Sequence, residues 1–455
     1  MTIEVFNPAN NEKIGEVKEF TEDEVGSTIE RLQNGFSEWS KRKPSSRGMV
    51  LYKAAEIIRA DQDRLAMILT SEQGKPYFEA RNEIQGVAAV FEFYASIAGT
   101  ICGHTTPKSD YGYAFTSKSP IGVCGAIIPW NVPALIMAWK IGPAIASGST
   151  IIVKPAETTP FTNMGIAEAL YSAGLPEDVL ALVTGSGSIT GAAIAKNRNI
   201  RHLSFTGSVD TGEKISKMID PGKVRLTLEL GGSDPMIVCK DADMDKAVAG
   251  AVTGRFYNCG QICTAVKRLY VADEVADRFI DKLKTATEQL RIGDGAIEGT
   301  NLGPLNNIKG LNSIKKIVED SSSSAKVITG AKKLDGPGNF YAPTLITDLE
   351  PDSRLLTEEV FGPVLPIVRF EKLEEAIEMA NSTRFGLGAS IWTNDMRNAS
   401  KAIDEIRSGI LWVNRHSRIP PEVPFGGDMN SGIGRENGLN ALEQYLVEKT
   451  VIISP

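Results

Sequence analysis

The chain has 455 residues, of which 42% are hydrophobic and 23% are charged, and its formal net charge is −7 at pH 7. This length exceeds what one ordinary core supports, and the composition is that of a globular protein, so we expect two large domains or one elaborated α/β body. The negative charge argues against a nucleic-acid partner, because nucleic-acid binders concentrate lysine and arginine.

The amino-terminal stretch, MTIEVFNPANNEK, has no basic region followed by an apolar core, so nothing marks it as a signal peptide. No uncharged apolar run reaches the roughly 18 residues that a bilayer-spanning helix needs. These observations predict a soluble, cytoplasmic protein with no membrane partner.

The first half of the chain alternates between helical and strand patterns. Residues from about 21 to 98 have apolar side chains at helical spacing, which predicts several amphipathic helices. After a β-rich run, VPALIMAWKIGPAIASG predicts a buried helix that ends at Gly148, and STIIVKPA predicts a buried strand. FTNMGIAEALYSAGLP predicts a helix that ends near Gly174, and DVLALVTG the next strand. This alternation is typical of a parallel sheet covered by helices.

A second alternation begins at LTLELGGSDPMIV and contains the predicted helices DEVADRFIDKLKTATEQL and LEEAIEMANS. The Gly-Gly pair followed by Pro235 suggests a domain junction. Residues 321–326, SSSSAK, are predicted as a short polar loop.

Two cysteines lie four positions apart in FYNCGQICTAVKR, where they could form a metal clip, a redox pair, or a nucleophile with a bystander. A zinc site would need two further soft ligands at ligand spacing, and a chain with three histidines offers none, so we expect no metal. The odd number of cysteines favours reduced thiols. The five are Cys102, Cys124, Cys239, Cys259 and Cys263.

Glu229, in LTLELGG, is a candidate general base for Cys263. A thiol attacks a carbonyl when it is ionised or has a base nearby, and a carboxylate can act on it directly or through water. A Cys-His dyad stays open as well. The simpler alternative is that each cysteine is a small buried apolar residue.

Two glycine-rich turns, TGSGSITG at residues 184–191 and FTGSVDTG at residues 205–212, each follow a predicted strand and open a helix. Free N–H groups and the helix dipole favour an anion such as phosphate there, although simple turn formation is the alternative. Gly187, Gly207 and Ser208 belong to these turns.

Lys154 and Glu157, in VKPAE, follow a predicted strand at the sheet edge where α/β proteins bind nucleotides. A carboxylate there can accept hydrogen bonds from both ribose hydroxyls. An exposed ion pair without a ligand is the alternative.

Five separated motifs occur in order along the chain: IIPWNVP, VKPAETTP, FTGS, LELGG with the later GQIC cysteine, and EEVFGPV, with PFGG near the end. On these motifs the chain resembles the non-acylating, NAD(P)-dependent aldehyde dehydrogenases over essentially its whole length. The resemblance implies that Cys263 is the nucleophile and Cys259 a bystander, although an oxidised Cys259–Cys263 pair stays open.

The resemblance also implies a mechanism. Cys263 would attack the aldehyde to form a thiohemiacetal, and the Asn131 amide and the Cys263 backbone N–H would stabilise the oxyanion. Hydride transfer to nicotinamide would leave a thioester, and Glu229 would activate the water that hydrolyses it.

The same resemblance implies a dinucleotide cofactor. Because Glu157 would accept from the 2′-hydroxyl and repel a 2′-phosphate, we expect NAD, with NADP as the alternative. Trp130 would line the groove, and Glu359 and Phe361 would surround the nicotinamide ribose and ring. The full expected set is Trp130, Lys154, Glu157, Gly187, Gly207, Ser208, Glu359 and Phe361.

The expected substrate tunnel is apolar and aromatic. Relatives that act on succinate semialdehyde resemble one another in having arginines at two positions that are Trp139 and Tyr257 here. The wall therefore predicts an uncharged aliphatic or aromatic aldehyde, while Arg415 and Arg418 near the entrance keep an anionic semialdehyde as the alternative. The remaining tunnel positions are Val132, Ile136, Ile262 and Ile419.

The implied fold is α/β with three regions. They are a Rossmann-like cofactor domain (residues 1–101 and 120–231), an α/β catalytic domain (residues 232–431), and a small β bridging or oligomerisation element (residues 102–119 and 432–455). A partner subunit would cover the exposed strand edge of that element, which predicts a homodimer or homotetramer.

Three other functions stay open from the sequence. A CoA-acylating relative is disfavoured by Glu229, which that branch lacks. A cofactor-free thiol esterase would leave Glu157, Glu359 and the glycine turns unexplained. A non-catalytic protein on the same fold would be expected to lack the nucleophile or the base.

Overall fold

The structure is a computed structural model that describes residues 1–110, 112–322 and 325–454. Its helices are α1 (Glu22–Trp39), α2 (Pro44–Ala60), α3 (Gln62–Gln73), α4 (Tyr77–Ile97), α5 (Pro133–Ser147), α6 (Phe161–Ser172), α7 (Ala192–Lys196), α8 (Val209–Met218), α9 (Met244–Phe256), α10 (Asp273–Glu288), α11 (Ile308–Ser322), α12 (Arg354–Thr357), α13 (Leu373–Asn381), α14 (Met396–Glu405) and α15 (Gly438–Gln444). A turn of π-helix spans Gly187–Gly191, and short 3₁₀ turns span Ala98–Thr100 and Tyr257–Gly260.

The strands are β1 (Thr2–Asn7), β2 (Glu12–Lys18), β3 (Tyr113–Pro120), β4 (Val123–Ile127), β5 (Thr150–Lys154), β6 (Leu180–Leu182), β7 (Ile200–Thr206), β8 (Arg225–Glu229), β9 (Asp234–Val238), β10 (Val266–Ala272), β11 (Lys326–Thr329), β12 (Thr344–Thr347), β13 (Val364–Phe370), β14 (Phe385–Gly386), β15 (Gly388–Trp392), β16 (Ile410–Val413), β17 (Asp428–Met429), β18 (Gly432–Ile433) and β19 (Leu446–Ile453).

The first large sheet has the strand order β18-β8-β7-β4-β5-β6. Strands β4 to β8 pair in parallel, and only the short β18 is antiparallel to its neighbour β8. Apolar side chains of α2 to α6 fill one face of this sheet, and those of α1, α7 and α8 fill the other. This arrangement is a doubly wound, Rossmann-like sheet.

Helix α5 and strand β5 show how local sequence produces this layer. Pro133 occupies the first turn of α5, where its missing N–H costs nothing, and the helix ends at Gly148 with φ 97°. Strand β5 is buried at every position, as its unbroken apolar run predicts for a central parallel strand. The predicted helix end at Gly148 is confirmed.

The second large sheet has the order β11-β12-β13-β10-β9-β15-β16 and is parallel except for the edge strand β11. Side chains from α9, α10 and α11 pack on one face, and those from α13 and α14 pack on the other. The α/β fold class predicted from the sequence is therefore confirmed.

Three small pairings complete the described structure. They are the hairpin β1–β2, the pair β14–β17, and the antiparallel ribbon in which β19 runs beside β3 from Leu446↔Pro120 to Ile453↔Tyr113. The division into three domains stays a prediction. The helices of the described chain are all too short or too polar to cross a bilayer.

The polar run SSSSAK differs from its predicted loop. Helix α11 continues through Ser322 and β11 begins at Lys326, so the two ends of the run belong to a helix and a strand. Residues 323 and 324 lie outside the described residues.

Candidate active site

Cys263 lies in the loop between a tight turn and strand β10. Asn258, Cys259 and Gly260 have φ values of 51°, 56° and 72°, so three successive residues adopt the left-handed conformation. A side chain at Gly260 would place Cβ 2.4 Å from the main-chain oxygen of Gly362, which requires glycine there. The turn follows α9 directly and precedes Cys263, which packs against the core of the first sheet.

The environment of Cys263 holds its thiol neutral at rest. Burial is the main cause that raises the pKa of Cys263 to about 12; Lys267 opposes the shift, and the carboxyl groups of Asp234, Glu359 and Glu229 add to it. Formation of the thiolate therefore needs a base or a further positive charge in the site.

Cys259 differs from Cys263 in its surroundings. Its side chain is 1% exposed and belongs to the core of the second sheet, whereas Cys263 is half-buried and packs against the core of the first. Both thiols are free. Cys259 thus lies in an apolar core, and no disulfide joins it to Cys263.

Glu229 is the last residue of β8 and is 3% exposed. Neither of its carboxylate oxygens hydrogen-bonds to a residue that the structure describes. Burial and the neighbouring Glu436 raise the pKa of Glu229 well above its usual value, while Lys140 and Arg435 oppose the shift. An unpartnered buried carboxyl group is costly for stability alone, which favours a functional role.

A buried ion pair next to Glu229 was not anticipated from the sequence. The Lys140 ammonium lies 2.6 Å from Oε1 of Glu436, and it also donates to Ser204 Oγ at 2.7 Å. The available signal was a single charged residue, Lys140, in the otherwise apolar helix α5.

Asn131 is held from three sides, again by residues that sequence reasoning missed. Its main-chain oxygen accepts from Lys75 Nζ at 2.9 Å and from Asn258 Nδ2 at 2.8 Å. Its own side-chain nitrogen donates to the main-chain oxygen of Gln261 at 2.9 Å. An amide nitrogen carries two hydrogens, so one N–H of Asn131 is left for another acceptor.

The link from Asn131 continues to helix α5 through a buried pair. Lys75 also donates to Oε2 of Glu83, and Oε1 of Glu83 accepts from the main-chain N–H of Ala134 at 2.9 Å. Glu83 therefore caps the start of α5 and neutralises Lys75.

The VKPAE motif and the first glycine-rich turn, both expected in the cofactor site, meet in space. Glu157 Oε1 accepts from the main-chain N–H of Gly187 at 2.8 Å and lies 3.4 Å from Lys154 Nζ. A Cβ added at Gly187 would meet nothing within 4 Å, so the chain borders open space there.

The second glycine turn lies beside Glu229. The Gly207 N–H donates to the main-chain oxygen of Glu229 at 3.0 Å, and Ser208 Oγ accepts from Thr211 N–H to cap α8. The start of α8 is thus placed at the edge of the sheet that also carries Glu229.

Glu359 and Phe361 are the cofactor residues expected at the nicotinamide end, and Trp130 is expected to line the same groove. Oε1 of Glu359 accepts from the Gly232 N–H at 3.1 Å, and the rings of Phe361 and Trp130 meet edge to face with centroids 5.7 Å apart. The structure thus brings these three side chains to the nucleophile loop, because Lys267 contacts both Glu359 and Phe361.

Four of the six expected tunnel residues belong to, or pack against, the apolar core of the first sheet. Val132, Cys263 and Ile419 pack against the apolar cluster that contains Ile136 and Trp139. The ring of Trp139 packs on Phe425 with centroids 5.3 Å apart. Ile262 is half-buried beside the thiol, and the Tyr257 hydroxyl donates to the main-chain oxygen of Glu79 at 3.3 Å.

A sequence profile of the Aldehyde dehydrogenase family matches residues 1–451. Retinaldehyde dehydrogenase 3 of Rattus norvegicus is 38% identical over 454 residues, which cover 98% of this chain and 89% of that protein. The chain belongs to the aldehyde dehydrogenase family.

Two further relatives of this aldehyde dehydrogenase differ in the cofactor that their names carry. The NADP(+) succinate-semialdehyde dehydrogenase of Escherichia coli (strain K12) is 38% identical over 453 residues, or 99% of this chain and 94% of that one. The crystal structure of betaine aldehyde dehydrogenase from Staphylococcus aureus in complex with NAD+ has a TM-score of 0.96 at 32% identity, and the match covers 100% of this chain and 92% of that one. This aldehyde dehydrogenase is an NAD(P)-dependent oxidoreductase that oxidises an aldehyde.

The groove residues fit a nicotinamide dinucleotide by their chemistry. Carboxylates at Glu157 and Glu359 can accept from ribose hydroxyls, and the start of α8 after Gly207 supplies N–H groups for a pyrophosphate. The open space at Gly187 leaves room for the ligand beside Glu157.

Proposed function

We propose that this aldehyde dehydrogenase converts an uncharged aliphatic or aromatic aldehyde to the carboxylic acid, with Cys263 as nucleophile, Glu229 as base, and NAD preferred over NADP. The observation that carries the proposal is the unpartnered carboxyl group of Glu229, which is buried and whose charge is among those that act on the Cys263 thiol. A base that bonds to nothing else is free to take a proton from the thiol or from water.

In this mechanism Glu229 takes the thiol proton and the Cys263 sulfur bonds to the aldehyde carbon. The carbonyl oxygen becomes an oxyanion, which accepts the second N–H of Asn131 and the main-chain N–H of Cys263. A nicotinamide cofactor held by Glu157, Glu359 and the start of α8 would supply the hydride acceptor for the substrate carbon. After Glu229 has released the thiol proton to solvent, it deprotonates the water that attacks the resulting thioester, and the carboxylic acid leaves Cys263, whose sulfur is regenerated as the thiolate.

The three contacts to Asn131 support its role as the oxyanion donor. Two of them fix its main chain and one fixes its side-chain amide, so the free N–H keeps a set direction. A donor that is already oriented needs no reorganisation when charge develops on the substrate oxygen.

The NAD preference is supported by Glu157. Its side chain is 39% exposed, and its carboxylate is oriented by the Gly187 N–H. A negative charge held there accepts a 2′-hydroxyl but repels a 2′-phosphate. Lys154 is buried and already donates to Pro155 O, which reduces its capacity to compensate.

The substrate class is supported by an apolar wall in which neither Trp139 nor Tyr257 supplies a cation. An anionic semialdehyde is the second candidate, because Arg415 and Arg418 are exposed near Ile419 and the Escherichia coli relative is named for succinate semialdehyde.

The test is a panel of initial rates of NAD(P)H formation with hexanal, benzaldehyde, betaine aldehyde and succinate semialdehyde, each with both cofactors. We expect the highest kcat/KM for hexanal or benzaldehyde with NAD, and no requirement for CoA. A higher kcat/KM for succinate semialdehyde would replace the uncharged substrate by the anionic one. A requirement for CoA would contradict the role of Glu229.

We further propose a homodimer or homotetramer in the cytoplasm. Ribbon β3–β19 exposes large apolar side chains, among them Tyr113, Ile452 and Ile453, which a partner subunit would cover. The five free thiols suit a reducing compartment. Sedimentation velocity is expected to give the mass of two or four chains, and a stable monomer at micromolar concentration would contradict this.

A further inference from the structure

Lys267 is a fully buried lysine whose ammonium contacts the main chain of the nucleophile loop. It follows Val266, the first residue of β10, and the register of β10 against β9 shifts between Val266 and Arg268. Such an irregularity re-aims the side chain of the residue it contains. The Lys267 ammonium donates to the main-chain oxygens of Ile262 at 2.9 Å and Cys263 at 2.6 Å.

The same ammonium faces the carboxylate expected at the nicotinamide ribose. Lys267 Nζ lies 3.8 Å from Oε1 of Glu359 and 5.8 Å from the ring centre of Phe361. A buried charge needs partners of this kind, because an isolated one would be expensive to desolvate. Lys267 thus connects the main chain of Cys263 to two side chains from the EEVFGPV motif.

Lys267 differs in the sign of its charge from the other groups around the thiol. Among the charged groups that act on Cys263, Lys267 is the cation, and the others are carboxyl groups. The groups that face Lys267 itself are Glu359, Asp234, Arg255 and Cys263. Glu229 completes the set around the thiol.

We propose that Lys267 is a positioning residue that clamps the Cys263 loop to Glu359 and keeps a positive charge beneath the thiol, which favours its ionised form. This inference rests on the proposed role of Cys263 as nucleophile. It adds a second influence on the thiolate besides Glu229, and it makes thiol reactivity depend on the Glu359 carboxylate.

The test measures alkylation of Cys263 by iodoacetamide in the enzyme without cofactor, by mass spectrometry as a function of pH. In Lys267→Met the rate of Cys263 alkylation at pH 8 is expected to fall by about tenfold, and the pH profile of alkylation to move to higher pH. The reason is that loss of one close positive charge commonly raises the pKa of a thiol by about one unit or more. The exposed Cys102 in the same sample is the internal control and should react at an unchanged rate. Lys282→Met, which removes an exposed lysine paired with Asp245, should behave as wild type.

Two further variants separate charge from packing. Lys267→Arg keeps the charge and should retain a profile near wild type, while Lys267→Gln keeps a donor without the charge and should shift. If Lys267→Met folds with a wild-type melting temperature but an unchanged profile, the inference is overturned. If Lys267→Met does not fold, the Arg and Gln pair decides, and identical profiles for the two overturn it.

Glu359→Gln tests the clamp from the opposite side. Loss of this anion should speed alkylation of Cys263, and its effect should not add to that of Lys267→Met in the double variant. Strictly additive effects of Glu359→Gln and Lys267→Met would overturn the coupling between these two residues.

If Cys263→Ala retained turnover, the proposed function would fail, whereas these alkylation profiles would still decide the placement of Lys267.

Discussion

Replacing Cys263 with alanine is expected to abolish aldehyde-dependent NAD(P)H formation, with a loss of at least about 10⁴-fold in kcat/KM. The reason is that Cys263 supplies the attacking sulfur: Cys259 lies in the core of the second sheet, whereas Cys263, Val132 and Ile419 all pack against the core of the first. Cys263 is half-buried, so removal of one sulfur atom should leave the fold intact. Initial rates with the best aldehyde of the panel give the measurement.

Cys259→Ala is the matched control for this experiment. It removes a sulfur atom from a fully buried side chain that lies four positions before Cys263. The small cavity should cost about 1 kcal/mol of stability, and kcat should stay within a few-fold of wild type. Comparable inactivation by both substitutions would contradict the bystander role and favour a functional pair of thiols. Residual activity above about 1% in Cys263→Ala would contradict the nucleophile itself.

The elements of the first sheet were predictable because their signals are local. Helix α5 has its proline in the first turn and its left-handed glycine at the end, and β5 is an unbroken apolar run. The run at residues 321–326 was less predictable, since serine is compatible with the end of a helix as well as with a loop, and α11 extends into it.

The partners inside the site were not predictable, because they depend on topology. Lys140 and Glu436 lie 296 positions apart and meet only when α15 packs beside α5. Lys75 reaches Asn131 across 56 positions in the same way. No periodicity or motif spacing marks such pairs, so a single lysine in an apolar helix is the most that the sequence offers.

The placement of the motif residues illustrates the opposite case. Glu157 and Gly187 were expected in one cofactor site from separate motifs, and the structure joins them by a hydrogen bond. Glu359 likewise reaches the Gly-Gly segment through the Gly232 N–H. The cofactor-binding roles of Glu157, Gly187 and Glu359 stay predictions, because the contacts described here are all between residues of the protein.

Glu229→Gln is expected to separate the two halves of the reaction. The variant should release a burst of about one equivalent of NAD(P)H per active site. Its steady turnover should then be about 10²–10⁴-fold slower than that of the wild type, as expected for loss of a general base. The acyl group should remain on Cys263, where mass spectrometry of the quenched enzyme can detect it. The side-chain amide fits the same cavity, and neither oxygen of Glu229 has a partner among the described residues to lose.

Glu72→Gln is the matched control, since Glu72 is also a buried glutamate whose pKa is raised, to about 7, chiefly by burial. Its carboxylate accepts from the Phe161 and Thr162 N–H groups at the start of α6, so it serves the fold and should leave the burst and the steady rate unchanged.

The pH dependence gives this prediction its sign. Burial and Glu436 raise the pKa of Glu229, so the carboxyl group is protonated over a wider pH range than usual and gains its basic form as the pH rises. The steady rate of the wild type should therefore increase with pH, and Glu229→Gln should lose that increase. A variant without any burst would show that Glu229 is indispensable before hydride transfer, as the base for the thiol, whereas a full burst followed by slow turnover assigns its indispensable role to deprotonation of the water.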